Sequence, residues 1–154
     1  MNNLNDTFGL DVVLDVGGLT TGASATDLKF ASAMRYVIDG KWYNKASGTF
    51  PLTAIATAVL GTAEAMVVGL WLNATATGTV NVNHGEIIST NDLTNGTIIL
   101  DLPPLRSGEA LAGLARISTN SATTFTPGTT APTAVTVAFT DTMHMPTRGF
   151  TAAS

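Results

Sequence analysis

The sequence has little charge and no cysteine. Charged residues make up 12% of its 154 residues, about half the usual share in soluble proteins. The absence of cysteine excludes disulfides and thiolate chemistry. No stretch approaches the run of about 20 apolar residues that a membrane-spanning helix needs, so we expect no membrane partner.

Basic residues are equally sparse. The formal net charge is −4, with a pI of about 4.8, and no cluster of lysine and arginine occurs. Nucleic acid is therefore not an expected partner, because binding to phosphates needs such a cluster. Residues 1–10 contain neither a basic leader nor an apolar core. We therefore expect no secretory signal, and synthesis in the cytoplasm.

No pattern of catalytic or metal-binding residues is visible. His84 and His144 are the only histidines, and a metal site would need both with Glu86 or Asp141. Isolated surface histidines are much commoner than such sites. The serines lie outside any nucleophile-elbow context. We predict no enzymatic activity, no catalytic residue, no metal and no cofactor.

What the sequence does contain is an apolar stretch at residues 65–82. Residues 66–72 form an uncharged apolar run that includes Trp71, and a polar connector and an alternating segment follow. This pattern predicts a buried strand that turns into a hairpin. A helix over residues 64–72 is the alternative, but Val67, Val68 and Gly69 would weaken it.

Short strand patterns separated by turn signals fill the rest of the chain. Asp39-Gly40 is a two-residue hairpin signal. Residues 46–50 and 91–96 read as turns, residues 120–132 as a loop, and residues 51–59 as either strand or helix. At residues 109–118 a strand is favoured over a helix. The predicted strands are residues 11–16, 28–39, 41–45, 66–72, 79–82, 86–88, 97–102, 109–118 and 134–141.

These patterns predict an all-β fold, a single antiparallel β-sandwich or barrel domain of about eight or nine short strands. The domain spans residues 11–141, between an N-terminal arm at residues 1–10 and a C-terminal tail at residues 142–154. We expect the apolar strand positions to form the core. They include Val37, Leu70, Trp71, Leu72, Ile99 and Val137.

Several motifs, in this order along the chain, resemble the capsid decoration (cement) proteins of tailed bacteriophages. The matching stretches are residues 35–40 (RYVIDG), 44–46 (NKA), 70–73 (LWLN), 78–80 (GTV), 107–113 (SGEALAG), 125–130 (FTPGTT), 137–141 (VAFTD) and 145–146 (MP). The resemblance implies a β-rich, non-enzymatic virion protein. Such a protein sits on the outer capsid surface, often as a homo-trimer, and clamps neighbouring subunits of the major capsid protein.

The two ends are the expected contact segments. Each is a polar segment with a few large apolar residues, which would act as anchors on neighbouring subunits. The predicted contact residues are Phe8, Leu10, Met143, Met145 and Phe150. Two alternatives stay open. One is another phage structural component, such as a head-fibre base, neck or tail protein. The other is a carbohydrate-binding β-sandwich used in adsorption, for which Trp42 and Tyr43 are the only aromatic pair.

Overall fold

A computed structural model of the chain describes residues 11–22 and 26–142, and these form an all-β, sandwich-like arrangement of three antiparallel sheets. The sheet orders are β1-β4-β5, β2-β3-β6 and β11-β10-β7-β8, with β9 paired to β7. This confirms the predicted all-β class, although the described residues contain eleven strands instead of the expected eight or nine. The strands are β1 (Val12–Val13), β2 (Leu19–Thr21), β3 (Asp27–Phe30), β4 (Met34–Ile38), β5 (Lys41–Lys45), β6 (Gly48–Pro51), β7 (Glu64–Asn73), β8 (Val80–His84), β9 (Ile88–Ser89), β10 (Glu109–Ser118) and β11 (Thr136–Asp141).

The apolar stretch forms β7, near the middle of the largest sheet. It pairs antiparallel with β10 on one side and with β8 on the other. Every residue of β7 between its two ends is buried. A strand covered on both faces needs a continuous apolar run instead of alternation, which explains its sequence. The predictions of strand for residues 66–72 and 109–118 are therefore confirmed.

The predicted hairpin at Asp39-Gly40 joins β4 to β5. Asp39 and Gly40 have φ values of 49° and 73°, and two positive φ angles in succession are the mark of a type I′ turn. On the inner face the rings of Tyr36 and Tyr43 stack, with centroids 5.4 Å apart. Trp42, on the opposite face, is 68% exposed.

One continuous core lies between the sheets. The inner faces of β4 and β7 contribute Tyr36, Ile38, Leu70 and Leu72 to it, and Phe125 from the long loop fills it further. Leu60 and Phe125 exchange backbone hydrogen bonds of 2.9 and 3.0 Å, which fixes this loop to the domain. Such burial of apolar surface is the main source of the domain's stability.

Four predicted elements are wrong in detail. Residues 28–39 form two strands, β3 and β4, instead of one. Residues 46–50 contain most of β6. Residues 91–96 include most of a short helix, α1 (Thr90–Thr94), capped by the Ser89 side chain, which accepts a hydrogen bond from the Asn91 backbone. Residues 97–102 form no strand.

Smaller departures affect the other segments. β1 is shorter than the predicted residues 11–16. Residues 51–59, left open between strand and helix, contain a 3-10 helix at Thr53–Ile55, and another at Pro132–Ala134 precedes β11.

The core prediction is correct for Leu70, Trp71 and Leu72, all fully buried. Val37 and Val137 are only partly buried. Val37 alternates with Tyr36 and Ile38, so its side chain points to the outer face of the sheet. Ile99 is 89% exposed and is not a core residue. Its segment lies outside the sheets, so its apolar character does not indicate burial.

Candidate functional site

The residues considered for metal binding do not form a site in the described part of the chain. No group of three or more histidine, aspartate or glutamate side chains there could hold a metal ion. His84 lies on β8, with its Nδ1 atom 2.7 Å from the Gly85 carbonyl oxygen. The Asp141 carboxylate accepts a hydrogen bond from the Leu19 backbone N–H at 3.2 Å. His144 lies outside the described residues.

Trp42 and Tyr43 do not form an aromatic platform. They project from opposite faces of β5, with Tyr43 packed on the core and Trp42 exposed. The Tyr36 hydroxyl, beside Tyr43, donates a hydrogen bond to the Asn73 carbonyl oxygen at 2.9 Å. Burial, and to a smaller extent Tyr43, raises the pKa of Tyr36 to about 12. Of these two aromatic side chains, only Trp42 is exposed for a sugar ring to stack on.

The outer face of β4 and β5 carries Val37, Trp42, Arg35 and Asn44, and we call it the hairpin surface. Cross-strand pairing places Val37 opposite Trp42 and Arg35 opposite Asn44. The Arg35 guanidinium donates two hydrogen bonds to Asp15, at 2.7 and 2.9 Å. These contacts with Asp15 raise the pKa of Arg35. Beside this pair lies a shallow cavity of about 480 Å³.

The most unusual surface is the segment between α1 and β10, residues 97–105, which we call the strap. Four of the seven exposed large hydrophobic side chains in the described part of the chain belong to it. Their exposed fractions are 44% for Ile98, 89% for Ile99, 59% for Leu102 and 74% for Leu105. Single exposed apolar residues are ordinary, but a contiguous group indicates an interaction surface.

The strap is held tightly against the outer face of the largest sheet. The Asn83 side chain donates a hydrogen bond from Nδ2 to the Pro104 carbonyl oxygen at 2.8 Å. A Cβ atom placed on Gly85 would lie 2.3 Å from the Asp101 carbonyl oxygen, so only glycine permits this approach. Beyond the strap, Arg106 forms an ion pair with Glu109 at 2.5 Å.

Trp71 lies beneath the strap. Its indole Nε1–H donates to the Asn83 Oδ1 atom at 2.7 Å. A Cβ atom on Gly69 would lie 2.7 Å from both Trp71 Nε1 and Pro103 Cγ. Pro103 itself is buried. The strap therefore covers the indole and presents its own apolar side chains to solvent.

The stretch of sequence that includes the strap, residues 86–105, is acidic. Residues 86–105 contain Glu86, Asp92 and Asp101 and no basic residue. Glu86 follows Gly85, which touches Asp101. The nearest cation in the sequence, Arg106, is already paired with Glu109.

The sequence does not identify the strap as a surface, because its apolar run predicts a strand. The signal that could have found it is Pro103-Pro104. Proline has no N–H group for a strand ladder, so two prolines directly after an apolar run disfavour pairing in a sheet.

The predicted contact residues Phe8, Leu10, Met143, Met145 and Phe150 all lie outside the described residues. Their role in contacts stays a prediction.

Comparisons with protein-family models, with curated proteins and with solved structures give no match to this chain. Within the described residues, no helix is long and apolar enough to cross a bilayer.

Proposed function

We propose that this protein is a non-enzymatic virion protein that binds the outer surface of a bacteriophage head and stabilises it by clamping neighbouring major capsid subunits. The observation that carries the proposal is the exposed apolar strap on a well-packed β domain. A surface of that kind is suited to protein contact. The sequence resemblance supplies the identity of the partner and the trimeric state.

The anchoring of the strap favours binding. Its backbone is fixed by the Asn83–Pro104 hydrogen bond and by the close approaches at Gly69 and Gly85. A backbone that is already fixed loses little conformational entropy when a partner binds, so the ordering cost is limited to the side chains. The strap would therefore contribute to affinity without a folding step of its own.

The charge of the chain suits the outside of a head. A net charge of −4 is repelled by packaged DNA, so the outer surface is the favourable location. A surface with few charges also limits the desolvation cost of a broad contact.

Stabilisation would follow from mass action. A protein that binds only assembled capsid subunits stabilises the assembly by its binding free energy, about 2.7 kcal/mol per site at a free concentration of about 100 times Kd. Over many sites this sum opposes loss of subunits during heating.

The direct test uses heads that lack the protein. Adding purified protein should give co-sedimentation and a higher temperature of head disruption. Electron microscopy should show density repeated over the whole head. Heads that neither bind the protein nor gain thermal stability would refute the proposal. Density confined to one vertex would favour a neck or tail component instead.

The role of the arm is tested by deleting residues 1–10. We expect the β domain to keep its circular dichroism spectrum while its retention on heads weakens, because Phe8 and Leu10 would no longer anchor it. If the shortened protein binds heads as tightly as the full chain, the arm is not an anchor and the contact lies in the rest of the chain.

A further inference from the structure

Asn95 is the only asparagine in the sequence that is followed by glycine. It lies at the C-terminal end of α1, directly before the strap, and both Asn95 and Gly96 are exposed. A Cβ atom placed on Gly96 would meet nothing within 4 Å, so the space beside this residue is open. Glycine has no side chain to hinder its own backbone nitrogen. An exposed Asn-Gly pair is therefore a place where the side-chain amide of asparagine is chemically labile.

The other exposed asparagines in the described part of the chain are Asn44, Asn91 and Asn120. Each of them precedes a residue with a side chain, which hinders the next backbone nitrogen. The Asn120 side chain is also held in place. Its Oδ1 atom accepts hydrogen bonds from the Ala122 N–H at 2.8 Å and from the Thr123 hydroxyl at 3.0 Å. Asn95 alone combines exposure with an unhindered neighbour.

We propose that Asn95 is a site of spontaneous deamidation. The Gly96 backbone nitrogen attacks the Asn95 Cγ atom and forms a C–N bond, which closes a cyclic imide. The side-chain nitrogen leaves as ammonia and takes up the proton that the Gly96 nitrogen releases. Water then opens the imide at either carbonyl, so residue 95 becomes an aspartyl or an isoaspartyl residue. The net reaction consumes one water and releases one ammonia, and it needs no enzyme and no oxidant.

The folded structure controls how often the attack can occur. Asn95 has a φ of −78° and a ψ of −5°, which turns the Gly96 nitrogen away from the Asn95 side chain. The Gly96 N–H also donates a hydrogen bond to the Leu93 carbonyl oxygen at 3.2 Å. The end of α1 must therefore open before the imide can form. Because α1 has only five residues and none of them is buried, this local opening costs little free energy.

The reaction changes the start of the strap. The N–H of Thr97, the first residue of the strap, donates a hydrogen bond to the Asp92 carbonyl oxygen at 3.0 Å. An isoaspartyl residue adds one carbon to the backbone just before Gly96, so this bond and the Gly96–Leu93 bond lose their register. The new carboxylate also lies at the C-terminal end of α1, where negative charge is unfavourable. The converted chain should therefore release the first residues of the strap from α1.

Ageing the purified full chain at mildly alkaline pH tests the site. Tandem mass spectrometry of its peptides should show a mass increase of about 1 Da at Asn95 that grows with time. Ion-exchange chromatography should resolve a species with one more negative charge. Asn95→Gln should remove this species. Asn44→Gln is the matched control, since it replaces another exposed asparagine and should leave the species unchanged.

Ser89→Ala tests the opening of α1. The Ser89 side chain caps this helix by accepting a hydrogen bond from the Asn91 N–H at 3.2 Å. Loss of such a cap shifts the opening equilibrium about fivefold, so Asn95 should be converted about fivefold faster. Conversion in urea, where α1 is unfolded throughout, should be faster still.

The site is refuted if the aged protein shows no mass increase, or if the increase lies at another asparagine. An unchanged rate in the Ser89→Ala variant would refute the opening of α1 as the limiting step. One consequence rests on the proposed function: aged protein should bind heads less tightly than fresh protein, because its strap has loosened. Fresh protein that ignores heads would refute the proposed function and leave the site standing. Aged and fresh protein that bind heads equally would refute only the loosening of the strap.

Discussion

Replacing Gly69 by alanine should loosen the strap from the sheet without dismantling the core. An ideal Cβ atom at this position would lie 2.7 Å from Pro103 Cγ, 2.7 Å from Trp71 Nε1 and 2.8 Å from Asn83 Oδ1. All three distances are shorter than real Cβ contacts allow. The proline and indole rings are rigid, so relief requires the strap or the tryptophan to move.

The expected cost can be worked from these contacts. Overpacking by one methyl group costs about 1–3 kcal/mol. If the Trp71–Asn83 hydrogen bond breaks, the buried indole donor adds about 1–3 kcal/mol. Alanine also lowers the conformational entropy of the unfolded chain, which offsets about 0.4–1 kcal/mol of this destabilisation. We therefore expect a net loss of about 1–6 kcal/mol in the free energy of unfolding.

Gly48→Ala is the matched control. Gly48 also lies in a strand, but a Cβ atom there meets nothing within 4 Å. The same chemical change should be neutral or stabilise the protein by up to about 1 kcal/mol.

Urea denaturation followed by tryptophan fluorescence measures both effects. The chain has two tryptophans, so a Trp42→Phe background isolates the signal of Trp71. In that background Gly69→Ala should shift the native emission to longer wavelength, because the uncovered indole meets water. Equal stability of the two alanine variants, with unchanged emission, would refute the packing of the strap on Trp71.

Three further predictions concern the core and its polar contacts. Leu70→Ala should lower the free energy of unfolding by about 2–5 kcal/mol in urea titrations, because Leu70 is fully buried; a variant as stable as the wild type would remove it from the core. Thr119→Val should lower the free energy of unfolding by about 1–3 kcal/mol. The buried Thr119 hydroxyl donates a hydrogen bond to the Gly61 carbonyl oxygen at 2.7 Å and accepts one from the Glu64 N–H at 3.0 Å, and valine can make neither. An unchanged melting temperature would contradict this. In the folded protein the pKa of Tyr36 is raised from 10.0 to about 12. Its contribution to the free energy of unfolding is therefore complete below pH 10 and is lost as the pH rises through about 12. Tyr36→Phe should make the stability fall less steeply with pH in this alkaline range.

The sequence predicts those elements whose local pattern and tertiary role agree. The apolar run of β7 is buried on both faces, and Asp39-Gly40 adopts the positive φ angles that its residue types favour. The single strand predicted for residues 28–39 is divided between two sheets by residues 31–33, where no strand forms. Alternation continues on both sides of this break, so periodicity alone does not reveal it.

The strap could not be predicted from its own residues. The run TIILDL has high strand propensity. Propensity describes how well residues fit a half-buried sheet, and these residues pair with no strand of the described sheets. Its position depends on Gly69, Gly85 and Asn83, which lie far away in sequence. For the hairpin surface, strand alternation places Trp42 and Tyr43 on opposite faces of β5, and the structure has Tyr43 on the core and Trp42 on the surface.

The burial of Trp71 links the core to the exposed apolar surface of the strap. β7 is apolar on both faces, so the face that carries Trp71 needs a cover, and the strap supplies it through the buried Pro103. Because the strap is a single layer of chain, one of its sides faces the sheet and the other faces solvent. Because residues 97–105 include apolar side chains on the outer side as well, the cover leaves apolar surface in contact with water. A partner placed over this segment would remove that surface from water, so under the proposed function the strap has a role in binding as well as in folding.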